Sequence, residues 1–202
     1  MKLDTTNINA TVPTELCRIM TKCGSDKGNG HNYTVFYYEL FKNLRYSNLN
    51  IFEVGLGTNN INIPSNMGKG GTPGASLRGW KEFFPNANIV GADIDRDILF
   101  VEDRITTYYC NQLDADTITN MWKSIPEHFD IIVDDGLHTP EANITFFQNS
   151  YHKLNTGGTY IIEDIFVPNM IKYDEYFSTG EYSYQKIILD NHTDNNFILV
   201  WR

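Results

Sequence analysis

Positive charge is scarce in this chain. It has 16 Lys and Arg against 25 Asp and Glu, a net charge of −9 at pH 7. It therefore has no surplus of cations to displace the counterions of a nucleic acid or to grip an anionic lipid surface, and a nucleic-acid partner would need a local patch. Long apolar runs are missing as well. Stretches such as Tyr160 to Ile162 and Phe197 to Trp201 fall far short of the roughly 20 residues that span a bilayer. The opening residues Met1-Lys-Leu-Asp-Thr-Thr-Asn7 contain no apolar signal core, so the expectation is a cytoplasmic protein without membrane contact. Cysteine is limited to Cys17, Cys23 and Cys110, an odd number at no metal or disulfide spacing, which agrees with a reducing compartment. Internal repeats, Pro-rich linkers and blocks of like charge are absent, which excludes a repeat array or a tethered multidomain chain.

What is present is one domain's worth of residues, 202, of which 41% are hydrophobic, enough for a real core. Short β-branched runs alternate with amphipathic stretches. Leu49 to Val54, Asn88 to Asp93, Ile105 to Cys110, Phe129 to Asp134 and Gly158 to Glu163 read as strands. Ser76 to Phe84, Ala115 to Ser124 and Pro140 to His152 read as helices between them. Strand, helix, strand in repetition means a parallel sheet with right-handed crossovers. Ser183 to Leu189 and Asn196 to Arg202 are joined only by Asp190 to Asn195, so they form a hairpin and the last strand runs antiparallel. Glu15 to Met20 and Tyr33 to Arg45 look helical around the Gly- and Asn-rich stretch Cys23 to His31, a candidate lid. The expected organisation is a helical lid or cap over residues 1–48 and one globular α/β unit over 49–202.

In such a sheet ligands bind outside the carboxyl ends of the strands, and acids accumulate there. Glu53-Val-Gly-Leu-Gly57 follows the first strand, but Gly55-x-Gly57-x-x-Asn60 lacks the third glycine of a dinucleotide fingerprint, which favours a ligand without a pyrophosphate. Asp93, ending the second strand, can accept both ribose hydroxyls of an adenosyl group. Asn111 and Gln112 sit where an amide can read an adenine edge or simply turn the chain, and Ser76 can cap its helix or meet the cofactor's carboxylate.

The doublets Asp134-Asp135 and Glu163-Asp164 end adjacent strands about 4.8 Å apart. Crowded carboxylates raise one another's pKa unless a cation intervenes, so a hard divalent ion such as Mg²⁺ is the economical reading. The alternative is that Asp134 and Glu163 cap backbone N–H groups. Alternation along a strand lets only one member of Asp134/Asp135 reach the metal, and the turn at Gly136 favours Asp135. His138, three residues on, has the right pKa to take a proton from a hydroxyl. His31 is a candidate substrate contact, whereas His128, His152 and His192 read as surface residues.

Ser25-Asp-Lys27 with His31, Glu53 to Gly57, Gly74-Ala-Ser-Leu-Arg-Gly-Trp80, Phe84-Pro85, Gly91-Ala-Asp-Ile94, Asp134-Asp-Gly-Leu-His138 and Gly157-Gly-x-Tyr-Ile-Ile-Glu-Asp164 together resemble the metal-dependent sugar O-methyltransferases of macrolide pathways, the mycinamicin and macrocin type. The resemblance covers about residues 20 to 166. It implies the Rossmann-like class I methyltransferase sheet of seven strands, order 3-2-1-4-5-7-6 with the last antiparallel and helices on both faces. It also implies S-adenosylmethionine at Glu53, Gly55, Asp93 and Gln112, with Gly57, Ser76 and Asp134 alongside. Mg²⁺ or a similar ion would sit on Asp135, Glu163 and Asp164, with His138 as the base. The expected reaction is methyl transfer to a sugar hydroxyl of a glycan or glycosylated product. The alternatives are a catechol or small-diol acceptor, or a non-catalytic adenosyl- or glycan-binding module. Tyr173, Tyr176 and Tyr182 can stack on a sugar or pack in the core. Ser25, Asp26 and Lys27 receive no role, and a homo-oligomer is left open.

Overall fold

The computed structural model describes residues 2–6, 8–179, 182–189 and 195–202. Eight strands form one sheet: β1 (Asn50–Val54), β2 (Asn88–Asp93), β3 (Val101–Glu102), β4 (Ile105–Tyr109), β5 (Phe129–Asp134), β6 (Leu154–Ile162), β7 (Ser183–Ile187) and β8 (Phe197–Trp201). Their order is β3-β4-β2-β1-β5-β6-β8-β7. Without β3 this is the expected order, with β1, β2, β4, β5 and β6 parallel and β8 antiparallel to both neighbours. The eighth strand corrects the expected seven. It is a two-residue edge piece antiparallel to β4, too short to leave a periodic signature. Arg104, at φ +57°, turns between them while its guanidinium donates to the carbonyls of Lys81, Phe84 and Ala87.

Among the described residues six α-helices pack on the sheet: α1 (Glu15–Cys23), α2 (Tyr33–Phe41), α3 (Ala75–Phe83), α4 (Ala115–Lys123), α5 (Pro140–Ser150) and α6 (Met170–Phe177). Local chemistry sets their ends. Thr14, Asp114 and Thr139 cap α1, α4 and α5 with side-chain oxygens. Gly24, in the left-handed region at φ +92°, returns its N–H to α1. Gly74, not Ser76, precedes α3. The helix α6 was not expected; Met170, Tyr173 and Phe177 share its buried face, so Tyr173 belongs to the core. Tyr176 and Tyr182 are half-buried against Phe147 and Phe177.

Alternation along the strands divides the core in two. Ile51 on β1 joins Leu16, Met20, Tyr37, Trp80 and Phe83 from the helices preceding β2, so residues before and after position 49 share one apolar cluster. Phe52 faces the other side with Trp122, Phe129, Phe146 and Phe147. Its ring centroid lies 4.6 Å from that of Trp122 and 5.5 Å from that of Phe129. Residues 190–194, including His192 and the hairpin connection, lie outside the described residues. Among the described residues no helix is long and apolar enough to cross a membrane.

Phe52 is fully buried on the central strand. Phe52→Ala should lower the unfolding free energy by about 3–5 kcal/mol, read as a lower urea midpoint at unchanged m-value. A loss below about 1 kcal/mol would mean that this aromatic cluster collapses around the void.

Candidate functional site

The parallel strands all end on one edge, where a cavity of about 480 Å³ opens, within the usual range for small-molecule sites. Its walls combine the strand ends at Val54–Thr58, Asp93–Ile94 and Cys110–Leu113 with the 135–138 loop and Asp164. Ser25, Asp26, Lys27 and His31 from the segment between α1 and α2, the 63–67 loop, and Tyr33, Thr72, Ala75, Ser76 and Glu163 complete it.

The expected cofactor residues fall into two layers. Gly55 and Gly57, at φ +95° and +78°, carry the chain past β1 in a conformation that side chains resist. A Cβ on Gly55 would lie 1.9 Å from the Asp135 carbonyl oxygen, and one on Gly57 2.0 Å from Met67 Sδ. A side chain at either position would thus meet neighbouring protein, while both glycines line the cavity. Asp93 lines the cavity while its Oδ2 and Oδ1 accept the Leu56 and Asp95 N–H groups at 2.7 and 2.8 Å. Burial raises its pKa against those bonds. Glu53 and Asp134 are fully buried behind the wall. Glu53 accepts from Ser76 Oγ (2.5 Å) and Trp80 Nε1 (2.6 Å), which is how Ser76 is used. Gln112 donates to Asp134 Oδ1 at 2.6 Å and accepts from the Leu137 N–H at 2.7 Å.

The second group is the acid cluster. Period-two alternation turns Asp134 toward the α4–α6 face and Asp135 toward the lid. Asp135 Oδ2 accepts from Lys27 Nζ at 2.5 Å, and Lys27 also donates to Glu163 Oε2 and lies 3.8 Å from Glu53. Tyr37 Oη donates to Glu163 Oε1 at 2.8 Å and Tyr33 Oη to Asp164 Oδ1 at 2.5 Å. His138 Nε2 stands 3.3 Å from Asp135 Oδ1 and 3.5 Å from Asp164 Oδ2, without a well-aligned hydrogen bond to either. His31 Nδ1 is 3.4 Å from the other oxygen of Asp164. Donor atoms of Asp135, His138 and Asp164 lie within 4.8 Å of one another. Of the expected metal ligands, two are therefore joined by His138, while Glu163, fully buried, has both oxygens engaged by Lys27 and Tyr37.

Lys27, named in the sequence without a role, and Tyr33 and Tyr37, read there only as part of a helix, carry the cluster. The signal for Lys27 was available in principle: acids gathered at adjacent strand ends demand a counterion, and Ser25-Asp-Lys27 supplies a cation in an acidic chain. His128 and His152 are exposed as expected.

Electrostatics follow the geometry. Burial pulls the Lys27 pKa down, but Asp135, Glu163 and Glu53 outweigh it and hold the ammonium charged. Burial pushes Asp135 up, yet Lys27 and His138 bring it well below the usual carboxylate range. Burial lowers His138, and Asp135 and Asp164 more than reverse this, to about 9. His31 is raised to about 9, first by Asp26. Burial and neighbouring acids raise Glu53, Glu163 and Asp164, and Lys27, His31 and His138 supply the cations beside them. Carboxylate oxygens gathered in this way are the hard donors that fit a divalent cation.

Both histidines are raised from 6.5 toward 9, so their stabilisation is complete below pH 6.5 and disappears as pH climbs to about 9. In EDTA the thermal midpoint should fall across that window, and His138→Gln should flatten the fall. Lys27→Met should cost about 3–5 kcal/mol at pH 7, because it strands buried carboxylates. The deficit should shrink as pH falls and they take up protons. Urea melts at pH 5 and 7 measure both, and an undiminished deficit at pH 5 would contradict the ion-pair account.

No family model matches the chain. It is 31% identical over 150 residues to the 8-demethyl-8-alpha-L-rhamnosyl tetracenomycin-C 2'-O-methyltransferase of Streptomyces olivaceus, covering 74% of this chain and 37% of that protein. It is 33% identical over 138 residues to the demethylmacrocin O-methyltransferase of Streptomyces fradiae, covering 68% and 33%. For the mycinamicin VI 2''-O-methyltransferase of Micromonospora griseorubida the identity is 33% over 135 residues, covering 67% and 32%. The matched residues thus span about a third of these relatives. Among solved structures, the MycE methyltransferase of the mycinamycin pathway, in complex with Mg and SAH, superposes with a TM-score of 0.72 at 24% identity. That superposition covers 94% of this chain and 55% of MycE. The chain has the class I methyltransferase fold and is a homologue of the sugar O-methyltransferases of macrolide and tetracenomycin type.

Proposed function

We propose that the chain forms the catalytic unit of a metal-dependent O-methyltransferase that moves a methyl group from S-adenosylmethionine to a sugar hydroxyl of a glycosylated acceptor. The observation that carries this is the convergence of Asp135, His138 and Asp164 on the wall of the cavity that Asp93 also lines. An adenosyl group would place its ribose hydroxyls on Asp93 and its base between Ile94 and Leu113. Those two side chains line the cavity while remaining 44% and 48% exposed. Glu53, held by Lys27, Ser76 and Trp80, supports the strand end beneath.

Asp135 and Asp164 would hold a divalent cation, with Glu163 as a third carboxylate once Lys27 shifts from it. When bound, such an ion supplies Lewis acidity, lowering the pKa of a sugar hydroxyl. Unneutralised, Asp135 and Asp164 keep His138 an imidazolium near pKa 9, a form with no lone pair to take a proton. Relief of that negative field returns Nε2 to general base, and its proton acceptance completes the acceptor's attack on the sulfonium methyl. The remaining acceleration comes from holding oxygen, methyl and sulfur in line. The sugar acceptor rests on the names of the relatives, which act on rhamnosyl, macrocin and mycinamicin compounds.

Isothermal titration should show adenosylhomocysteine binding, and Asp93→Ala should weaken it by about 10- to 100-fold through lost hydrogen bonds to a charged group. Mass spectrometry against a panel of glycosides and catechols should find methylated glycosides. EDTA should abolish that product and His138→Ala should slow it by about 10²- to 10⁴-fold. Transfer that survives both EDTA and His138→Ala would overturn the mechanism. Methylation confined to catechols would overturn the acceptor.

A further inference from the structure

We propose that Gln112 and Asp134 are positioning residues that clamp the 135–138 loop and so hold Asp135 and His138 in register. This rests on the proposed function for its consequence and on geometry alone for the clamp. The loop leaves β5 with three backbone anchors. The Asp135 N–H donates to the Val54 carbonyl at 2.9 Å, the Leu137 N–H donates to Gln112 Oε1 at 2.7 Å, and the Leu137 carbonyl accepts from Ser65 Oγ at 3.1 Å. His138 then takes φ +60°, a left-handed conformation that a non-glycine residue keeps only when its surroundings enforce it.

Gln112 is itself held from behind. Its Nε2 donates to Asp134 Oδ1 at 2.6 Å, and a bond to a buried carboxylate is stronger than one to a neutral acceptor. That bond fixes which end of the amide faces Leu137. Asp134 stands at 0% exposure, with the Asn143 side chain beside it, and Asn143 accepts from Tyr173 of α6 at 2.6 Å. The amide also lies flat against the loop: a Cβ at Gly136 would fall 2.0 Å from Gln112 Oε1 and 2.6 Å from its Cδ. Both ends of Gln112 are thus committed to protein, although it lines the cavity where an adenine reader would sit. Its strongest bonds serve the loop that bears the metal-facing carboxylate and the base.

The test compares the full chain with Gln112→Met, Gly136→Ala, Asp134→Ala and Asp134→Asn. Three readouts are used: hydrogen–deuterium exchange over residues 135–138, Mn²⁺ affinity by electron paramagnetic resonance, and adenosylhomocysteine affinity by calorimetry. Exchange should quicken by about tenfold in Gln112→Met, Gly136→Ala and Asp134→Ala, as for one buried hydrogen bond lost. Asp134→Asn, which keeps an acceptor for Gln112, should retain slow exchange. Mn²⁺ affinity should fall by about 10- to 100-fold in Gln112→Met, the range seen when partners of metal ligands are removed. Adenosylhomocysteine affinity should change by less than about threefold. Unchanged exchange in Gln112→Met overturns the clamp. So does a tenfold loss of adenosylhomocysteine affinity with Mn²⁺ binding intact, which would make Gln112 a base reader. A wild-type chain that binds neither Mn²⁺ nor adenosylhomocysteine overturns the proposed function, while the exchange comparison still decides the clamp.

Discussion

The placement of Lys27 is the constraint on which the rest of the site depends. Three parallel neighbours, β1, β5 and β6, deliver acids to one edge, and like charges about 4 Å apart repel by roughly 4 kcal/mol at the effective dielectric of a protein surface. Glu53 and Glu163 are fully buried, so water cannot relieve them. Lys27, 3% exposed, reaches all three strand ends from a short turn between α1 and α2. A helical segment that would otherwise be an optional cover is thereby tied to the sheet by charge as well as by the apolar cluster around Trp80. Tyr33 and Tyr37, one helical turn apart on α2, add hydroxyl donors to Asp164 and Glu163. The lid and the acid cluster each complete the other.

Much of the fold was readable because buried parallel strands are apolar runs with an abrupt polar end. Asn88–Asp93 and Phe129–Asp134 coincide with their expected bounds. Alternation implied that only one of Asp134 and Asp135 would reach the metal and the turn at Gly136 favoured Asp135; the two carboxylates do face opposite ways, Asp134 to Gln112 and Asp135 to Lys27. What sequence did not disclose has two physical origins. The edge strand β3 is two exposed residues held by pairing with β4, and the eight-residue helix α6 is held by the packing of Met170, Tyr173 and Phe177, so the local periodicity of both is weak. The partners of Lys27 lie 108 and 136 residues away, and no spacing rule links residues that meet only after the sheet has formed. The same holds for Ser76, whose hydroxyl serves a glutamate 23 residues earlier instead of its own helix.

The glycines after β1 serve the packing of the protein on itself. Gly-x-Gly is commonly read as room for a ligand, yet at Gly55 the room is filled by the Asp135 carbonyl and at Gly57 by Met67. Packing the β5 loop this closely on the β1 turn leaves little slack at Asp135. Its backbone is pinned to Val54 and its carboxylate to Lys27. The carboxylate proposed to serve a cation is thus fixed by the fold itself.

Besides the acids, the cavity is lined by Ile63, Pro64, Ser65, Asn66 and Met67 of an irregular loop. These loop residues depend on internal hydrogen bonds such as Asn66 Nδ2 to the Ile63 carbonyl and are not spaced by a sheet, so their side chains can change without disturbing the strand ends. One of them is not independent: Ser65 holds the Leu137 carbonyl, on the residue whose N–H is held by Gln112. A change of acceptor preference written into the 63–67 loop would therefore pull on the same peptide that sets the position of His138. Tyr173 reaches the neighbourhood of Asp134 from the α6 side through Asn143. Two segments outside the strands thus bear on one loop, the first through Ser65 and the second through Asn143 beside Asp134, so a substitution in either would be felt at His138.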